Sequence, residues 1–207
     1  ATQGNGRAQY ALGWVYENGQ GVPQDDAKAR QWYEKAAAQG EAEAQHRLGK
    51  LANLQTLPTR AAQGDAMAQL QLGELYTIGD GVQRDVVQAA KWYEKAAAQG
   101  NAEAQLSIGI AYSQGYGVPQ DNVQATMWFQ KAAAQGNGNA QVWLGRAHED
   151  GQGVPQDYVR AYMWFSLAAA HSTNVVAAGR RDTVARRMTP AQIAEAQTLA
   201  REWKPTR

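Results

Sequence analysis

The stretch Leu72-Gly73-Glu74-Leu75-Tyr76-Thr77-Ile78-Gly79-Asp80-Gly81-Val82, followed by Lys91-Trp92-Tyr93-Glu94-Lys95-Ala96-Ala97-Ala98-Gln99-Gly100, decides the fold. Both halves recur. Near copies of the second half stand at 31–40 and 127–136, and a diverged copy occupies 163–170. The tryptophans Trp92, Trp128 and Trp164 are each 36 residues apart, and Trp32 leads the series. The first half returns around Leu12-Gly13, Ile108-Gly109 and Leu144-Gly145, each time with Gly-x-Gly-Val and an Asp following. A fixed period of this length marks stacked supersecondary units.

Each unit has the pattern of two helices. In the first unit, Ala8, Leu12 and Tyr16 make one stripe over 8–17, and Ala29, Trp32/Tyr33 and Ala36 another over 26–39. Both follow the 3.6-residue period of a helix with one buried face. Gly19 and Gly21 suit the turn, Asp25 is placed to cap the second helix, and Gly40 marks its end. The glycine inside the first helix (Gly13, Gly49, Gly73, Gly109, Gly145) weakens that helix by about 1 kcal/mol relative to alanine. Close approach of the partner helix is the expected compensation. Trp and Tyr, with Trp32, Trp92, Trp128 and Trp164 leading, are expected to fill the space between hairpins, so Trp92→Ala or Trp128→Ala would cost about 3–5 kcal/mol.

The repeats divide the chain into units at about 8–43, 44–67, 68–103, 104–139 and 140–170, with a C-terminal cap at 171–207. The unit at 44–67 is short. It lacks the turn glycines, the capping Asp and the Trp-Tyr pair, and it contains Pro58. Its second helix is expected to be absent or about one turn long, with an irregularity at 52–64. That irregularity would be either a tolerated deletion or a functional notch. Residues 1–9 align with 133–141, so the chain is expected to begin partway through a unit. After His171 a polar segment runs to Arg187, and Thr189-Pro190-Ala191-Gln192 then forms a capping box for a helix over 190–203. In that helix Ile193, Ala196, Leu199/Ala200 and Trp203 are expected to be buried.

Composition narrows the chemistry. Net charge is +1, which gives no overall pull toward nucleic acid. The basic residues of 171–207, Arg180 to Arg207, are the one local excess. No cysteine is present, which excludes disulfides and thiolate chemistry. His46, His148 and His171 have no metal-ligand spacing, and no nucleophile elbow or phosphate loop occurs, so neither metal nor cofactor is expected. His148 stands where other units have Tyr and is expected to pack between helices; His46 is expected at the surface. No stretch is apolar enough to span a bilayer.

The quoted strings resemble the Sel-1-like repeat, a tetratricopeptide-like hairpin with longer turns, over about 1–170. The resemblance implies an all-α fold, an α/α superhelix of right-handed hand with C-terminal capping helices. It also implies an adaptor role in protein complexes and, for bacterial members, the periplasm or the cell exterior more than the cytoplasm. If first helices line the concave face, the binding candidates are Arg7, Tyr10, Trp14, Glu17, His46, Lys50, Leu70, Glu74, Leu106, Ile110, Arg146 and Glu149. Tyr10 and Trp14 are either an aromatic anchor patch or a packing surface for an upstream unit. The expected function is a non-enzymatic scaffold that binds a protein or peptide, with no nucleic-acid partner. Two alternatives stay open: a cell-envelope enzyme or ligand-binding protein related to the cell wall or β-lactams, and an RNA-binding helical repeat supported by the basic tail.

Overall fold

Glycine, aspartate and alanine at fixed intervals translate directly into hairpins. The computed structural model describes residues 5–80, 82–171 and 175–206, with the backbone alone for His171 and Val175. The expected alignment of residues 1–9 rests partly on residues outside this range, as do Gly81 and the segment 172–174. Among the described residues the secondary structure is eleven α-helices without a strand. The chain forms two compact units, one up to Thr59 and one from Arg60.

The first unit holds α1 (Gly6–Asn18), α2 (Asp26–Ala37) and most of α3 (Ala42–Ala62). Asp25 caps α2 by accepting the Lys28 amide at 2.9 Å. Its carboxyl is held below the usual carboxylate range, first by that backbone bond and then by the Lys28 ammonium. The core is Ala29, Tyr33, Ala36, Ala44 and Leu51. The short repeat has no separate second helix, as expected, but the expected irregularity at 52–64 does not appear: α3 continues as one 21-residue helix straight through Pro58. Leu51, Ala52, Leu54 and Leu57 are sound helix formers, and without the Gly-x-Gly turn nothing stops the helix after its third turn. Leu51 and Leu57 are buried on its inner side, which offsets the bond that Pro58 cannot donate.

The second unit holds α4 (Ala66–Ile78), α5 (Val86–Ala98), α6 (Ala102–Gln114), α7 (Asn122–Ala134), α8 (Gly138–Asp150), α9 (Tyr158–His171), α10 (Val175–Ala185) and α11 (Pro190–Glu202). Each helix from α4 to α9 packs on the next, and α10 and α11 both pack on α9. Asp85 and Asp121 each accept two amides at the start of α5 and α7. The Thr189–Gln192 capping box forms in both directions, as the sequence predicts. The polar segment before Thr189 is a helix, α10, that buries Ala177 and Val184 and, like α11, is one of the C-terminal helices expected. One expectation at this end is corrected. Leu199 lies on the outer face of α11 at 38% exposure, while Ala196 is buried.

Trp128 and Trp164 do pack on the core of the preceding hairpin, as expected, but the tryptophans are not the most enclosed rings. Their successors, Tyr33, Tyr93, Phe129 and Phe165, are buried. These rings sit against the interior glycines: a Cβ on Gly13, Gly73, Gly109 or Gly145 would lie 2.5–2.6 Å from the ring. Gly49 is the exception, with open space around it. Trp32, Trp92, Trp128 and Trp164 are half-buried. Lys35, Lys95 and Lys131 lie over the first three indoles at 4.4, 4.1 and 4.1 Å, and Trp203 meets Trp164 edge-on at 6.2 Å. The expected cost of 3–5 kcal/mol therefore belongs to the neighbouring ring.

Buried glutamines knit the first helices to the second. Gln69 donates to the Ala61 carbonyl at 2.9 Å and accepts from Gln99 at 2.8 Å. Gln105 repeats this one hairpin on, donating to Ala97 at 3.1 Å and accepting from Gln135 at 2.9 Å. In the first unit Gln39 donates to Gln9 at 2.7 Å. Deleting such an amide leaves its partners buried without a bond. Gln105→Ala should lower unfolding free energy by about 1–3 kcal/mol in urea melts.

Candidate ligand-binding cleft

The packing of each second helix on the next first helix leaves a slot beside the buried ring. Its far wall is the residue four after the interior glycine: Glu17, Thr77, Ser113 or Glu149. In the first unit Arg47 reaches in from α3. Its guanidinium lies 3.4 Å from the Glu17 carboxylate, which also accepts the Tyr33 hydroxyl at 2.5 Å. Burial first, and Glu17 second, hold the Tyr33 phenol well above its ordinary pKa. At the C-terminal end Arg180 of α10 reaches Glu149 at 2.9 Å.

Between α7 and α8 the plug is Trp143. Its indole stacks on Phe129 at 5.4 Å between centroids and 14° between planes, with the Arg146 guanidinium 4.8 Å from it. About 20 Å³ remains. Between α5 and α6 the equivalent slot is open. Tyr93 replaces Phe129, Ile110 replaces Arg146, and Ser107 stands where Trp143 would be. The cleft there measures about 340 Å³. Tyr116, 59% exposed, forms one rim, and Arg84 forms another, held by its Nε–H bond to the Thr77 carbonyl at 3.0 Å. Deeper in, the Thr77 and Tyr93 hydroxyls share a hydrogen bond of 2.9 Å. Arg84 is the charged side chain among the described residues lining this cleft.

The sequence-derived candidates scatter. Arg7, His46 and Glu74 are exposed; Tyr10, Trp14, Glu17, Lys50, Ile110 and Arg146 are half-buried. Tyr10 packs on Tyr33 at 5.5 Å. Leu70 and Leu106 are core residues, and Glu149 is buried against Arg180, so these three are not free surface. In the second unit Ile110 alone of the candidates lines the open cleft, while Arg146 lies over the indole that plugs the next one. Sequence reasoning missed Ser107. The signal was present in the column two residues ahead of the interior glycine: Ala11, Arg47, Gln71, Ser107, Trp143. No other first-helix column swings so far in size.

His148 is buried on α8 where α1, α4 and α6 carry Tyr16, Tyr76 and Tyr112, and its Nδ1 has no partner. Burial, reinforced by Arg160 and opposed by Asp157, lowers its pKa from 6.5. The unfolded state then binds the proton more readily. The stabilisation is complete above about pH 6.5 and is lost as pH falls through the folded value. His148→Tyr should flatten the melting midpoint between pH 7 and 5, relative to the parent chain.

Hairpins of this form, closed by an interior glycine against a buried ring, define a helical-hairpin repeat protein. Residues 6–41, 66–101, 102–137 and 138–172 each match the Sel1 repeat, together more than half of the chain. The chain belongs to the Sel1 repeat family, whose members generally mediate protein–protein interaction and are generally non-catalytic. It is similar to c5321, a protective antigen of uropathogenic Escherichia coli with an SLR fold. The two are 34% identical with a TM-score of 0.69, over 97% of this chain and 46% of that one. A Sel1 repeat protein from Oxalobacter formigenes is 29% identical with a TM-score of 0.60, over 98% of this chain and 87% of its own. A 58-residue stretch is 40% identical to the chitin synthase regulator SKT5 of Malassezia restricta, covering 28% of this chain and 4% of the regulator. The chain thus spans less than half the length of the antigen and a small part of the regulator. Among the described residues, no helix is long and apolar enough to cross a membrane.

Proposed function

We propose that this chain is a non-enzymatic interaction scaffold that binds a protein or peptide through its first-helix surfaces. The observation that carries the reading is the open slot at Ser107, where the equivalent site one repeat on is filled by Trp143 and where Arg47 and Arg180 pair with the corresponding wall residues Glu17 and Glu149. Repeats that keep their core and vary a surface position place different chemistry on the same kind of hairpin. Half-buried Tyr10, Trp14 and Ile110, with exposed Arg7, His46 and Glu74, supply the mixed apolar and charged character of recognition surfaces. The segment 171–207 serves as the C-terminal cap: Trp203 covers the edge of Trp164, and the Thr206 amide donates to the Ala134 carbonyl at 2.7 Å. Membership of a family that generally works by protein–protein interaction supports the same reading, as does the likeness to a chitin synthase regulator.

The test is affinity capture with the intact chain, followed by reconstitution from purified components in a titration calorimeter. A saturable one-to-one complex is expected. Capture of no protein ligand, together with a saturable hit on a glycan array, would overturn the reading.

A further inference from the structure

We propose that the Ser107 cleft binds a planar aromatic side chain, an indole or phenol, from a peptide segment that carries a carboxylate beside that ring. This deepens the scaffold reading and rests on it. The chain supplies its own picture of the bound state. One repeat later, the same site is filled by an indole lying flat on the buried ring, with the Arg146 guanidinium over the indole at 4.8 Å. Nine of the ten residues lining the open site have a counterpart 36 residues on in the filled one, and Arg84 is the exception. What separates them is chiefly Ser107 in place of Trp143, and the opened volume of about 340 Å³ lies in the range of small-ligand sites, which begins at roughly 300 Å³. An incoming ring stacks on Tyr93 and is covered by Ile110, which is the arrangement that aromatic pairs favour.

Two features at the mouth choose the rest of the ligand. Arg84 is the one charge among the described lining residues, and its guanidinium is fixed at the rim by its bond to Thr77. A cation without a lining carboxylate complements an acidic group on the partner. Tyr116 stands exposed at a turn position that holds Gln20, Asp80 and Gln152 in the other hairpins. It provides a second ring against which the peptide backbone or a neighbouring residue can lie. Exposed aromatics around a desolvated pocket have the form of binding hot spots.

The experiment is an NMR titration of the whole chain with three capped tripeptides, Glu-Trp-Glu, Glu-Leu-Glu and Lys-Trp-Lys. Saturable shifts of the Tyr93, Ser107 and Ile110 amides are expected with the first, at a Kd of about 1 mM or tighter. The second and third should bind at least about tenfold more weakly. Ser107→Trp, which copies the plug of the next repeat, should abolish the shifts while the chain stays folded by circular dichroism. Trp143→Ser should open a second site and move the Phe129 and Ala147 amides as well, a readout that does not depend on the first variant folding. Equal binding of the leucine peptide, unchanged binding by Ser107→Trp, or no saturable shift with Glu-Trp-Glu would overturn the proposal. Repeating the protein capture with Ser107→Trp separates the two readings. A partner retained equally by parent and variant removes the cleft but keeps the scaffold; a parent chain that captures nothing removes the scaffold.

Discussion

Phe165→Ala is expected to destabilise the chain by about 3–5 kcal/mol, the range for deleting a fully buried ring. Phe165 is completely enclosed, in a cluster with Ala161, Tyr162, Val184 and Ala196. A Cβ on Gly145 would lie 2.5 Å from its ring, so α8 and α9 are in contact through it with no slack. The cavity left by alanine cannot close by small shifts, because the facing wall is helix backbone. Trp128→Ala provides the contrast. That indole is half-buried under Lys131, and its loss should cost about 1–2 kcal/mol in area and cation–π contact. Denaturant midpoints of the two variants give the comparison. Because hairpins contact only their neighbours, hydrogen exchange in Phe165→Ala should accelerate first in α9 to α11. Equal midpoints for the two variants would mean that the ring against the glycine is not the keystone of the hairpin.

Gly153→Ala is expected to cost about 3 kcal/mol or more. Gly153 has φ of 72°, in the left-handed region, and an added Cβ would run into the Asn122 carbonyl oxygen. It would also lie 2.8 Å from the Thr126 hydroxyl, which already bonds the Asn122 and Gln152 carbonyls at 2.8 and 3.2 Å. A carbonyl at the start of α7 cannot rotate away as a side chain can. Gly21→Ala isolates the conformational part. Gly21 has φ of 73° in the equivalent turn, with open space around it, so only the strain of about 1–2 kcal/mol applies. The difference in thermal midpoint between the variants measures the value of hairpin-to-hairpin contact. Identical midpoints would show that this turn is tuned for its own bend and for nothing beyond it.

The repeat was legible from the sequence because its markers are local. Asp25, Asp85 and Asp121 cap because a carboxylate at that position satisfies amides two and three residues on, whatever the rest of the chain does. The Thr189–Gln192 box works in the same way. The adjacent pair Trp92-Tyr93 was a different matter. Neighbouring residues on a helix point about 100° apart, so an apolar stripe wide enough for one admits both. The choice belongs to the facing helix, where Gly73 makes room for one ring. At 44–67 the missing turn residues suggested a missing second helix, and none forms as a separate element; the expected irregularity does not follow, because removing a stop signal lets the first helix run on, and α3 does. The segment before Thr189 looked polar because Ala177 and Val184 are the buried ones among the described residues of α10, and Arg180 pairs with Glu149.

The sequence by itself determined the period, the helical hairpins, the turns and the caps, since each rests on conformational preferences within a few residues. Tertiary structure alone decided which ring is core and which slots are filled. Arg47 and Glu17, Arg180 and Glu149, and Trp143 and Phe129 meet across 14 to 31 positions of chain, and no local preference records that meeting. The open cleft at Ser107 is visible only once neighbouring hairpins pack, because it consists of the volume that a serine leaves where the next repeat has an indole.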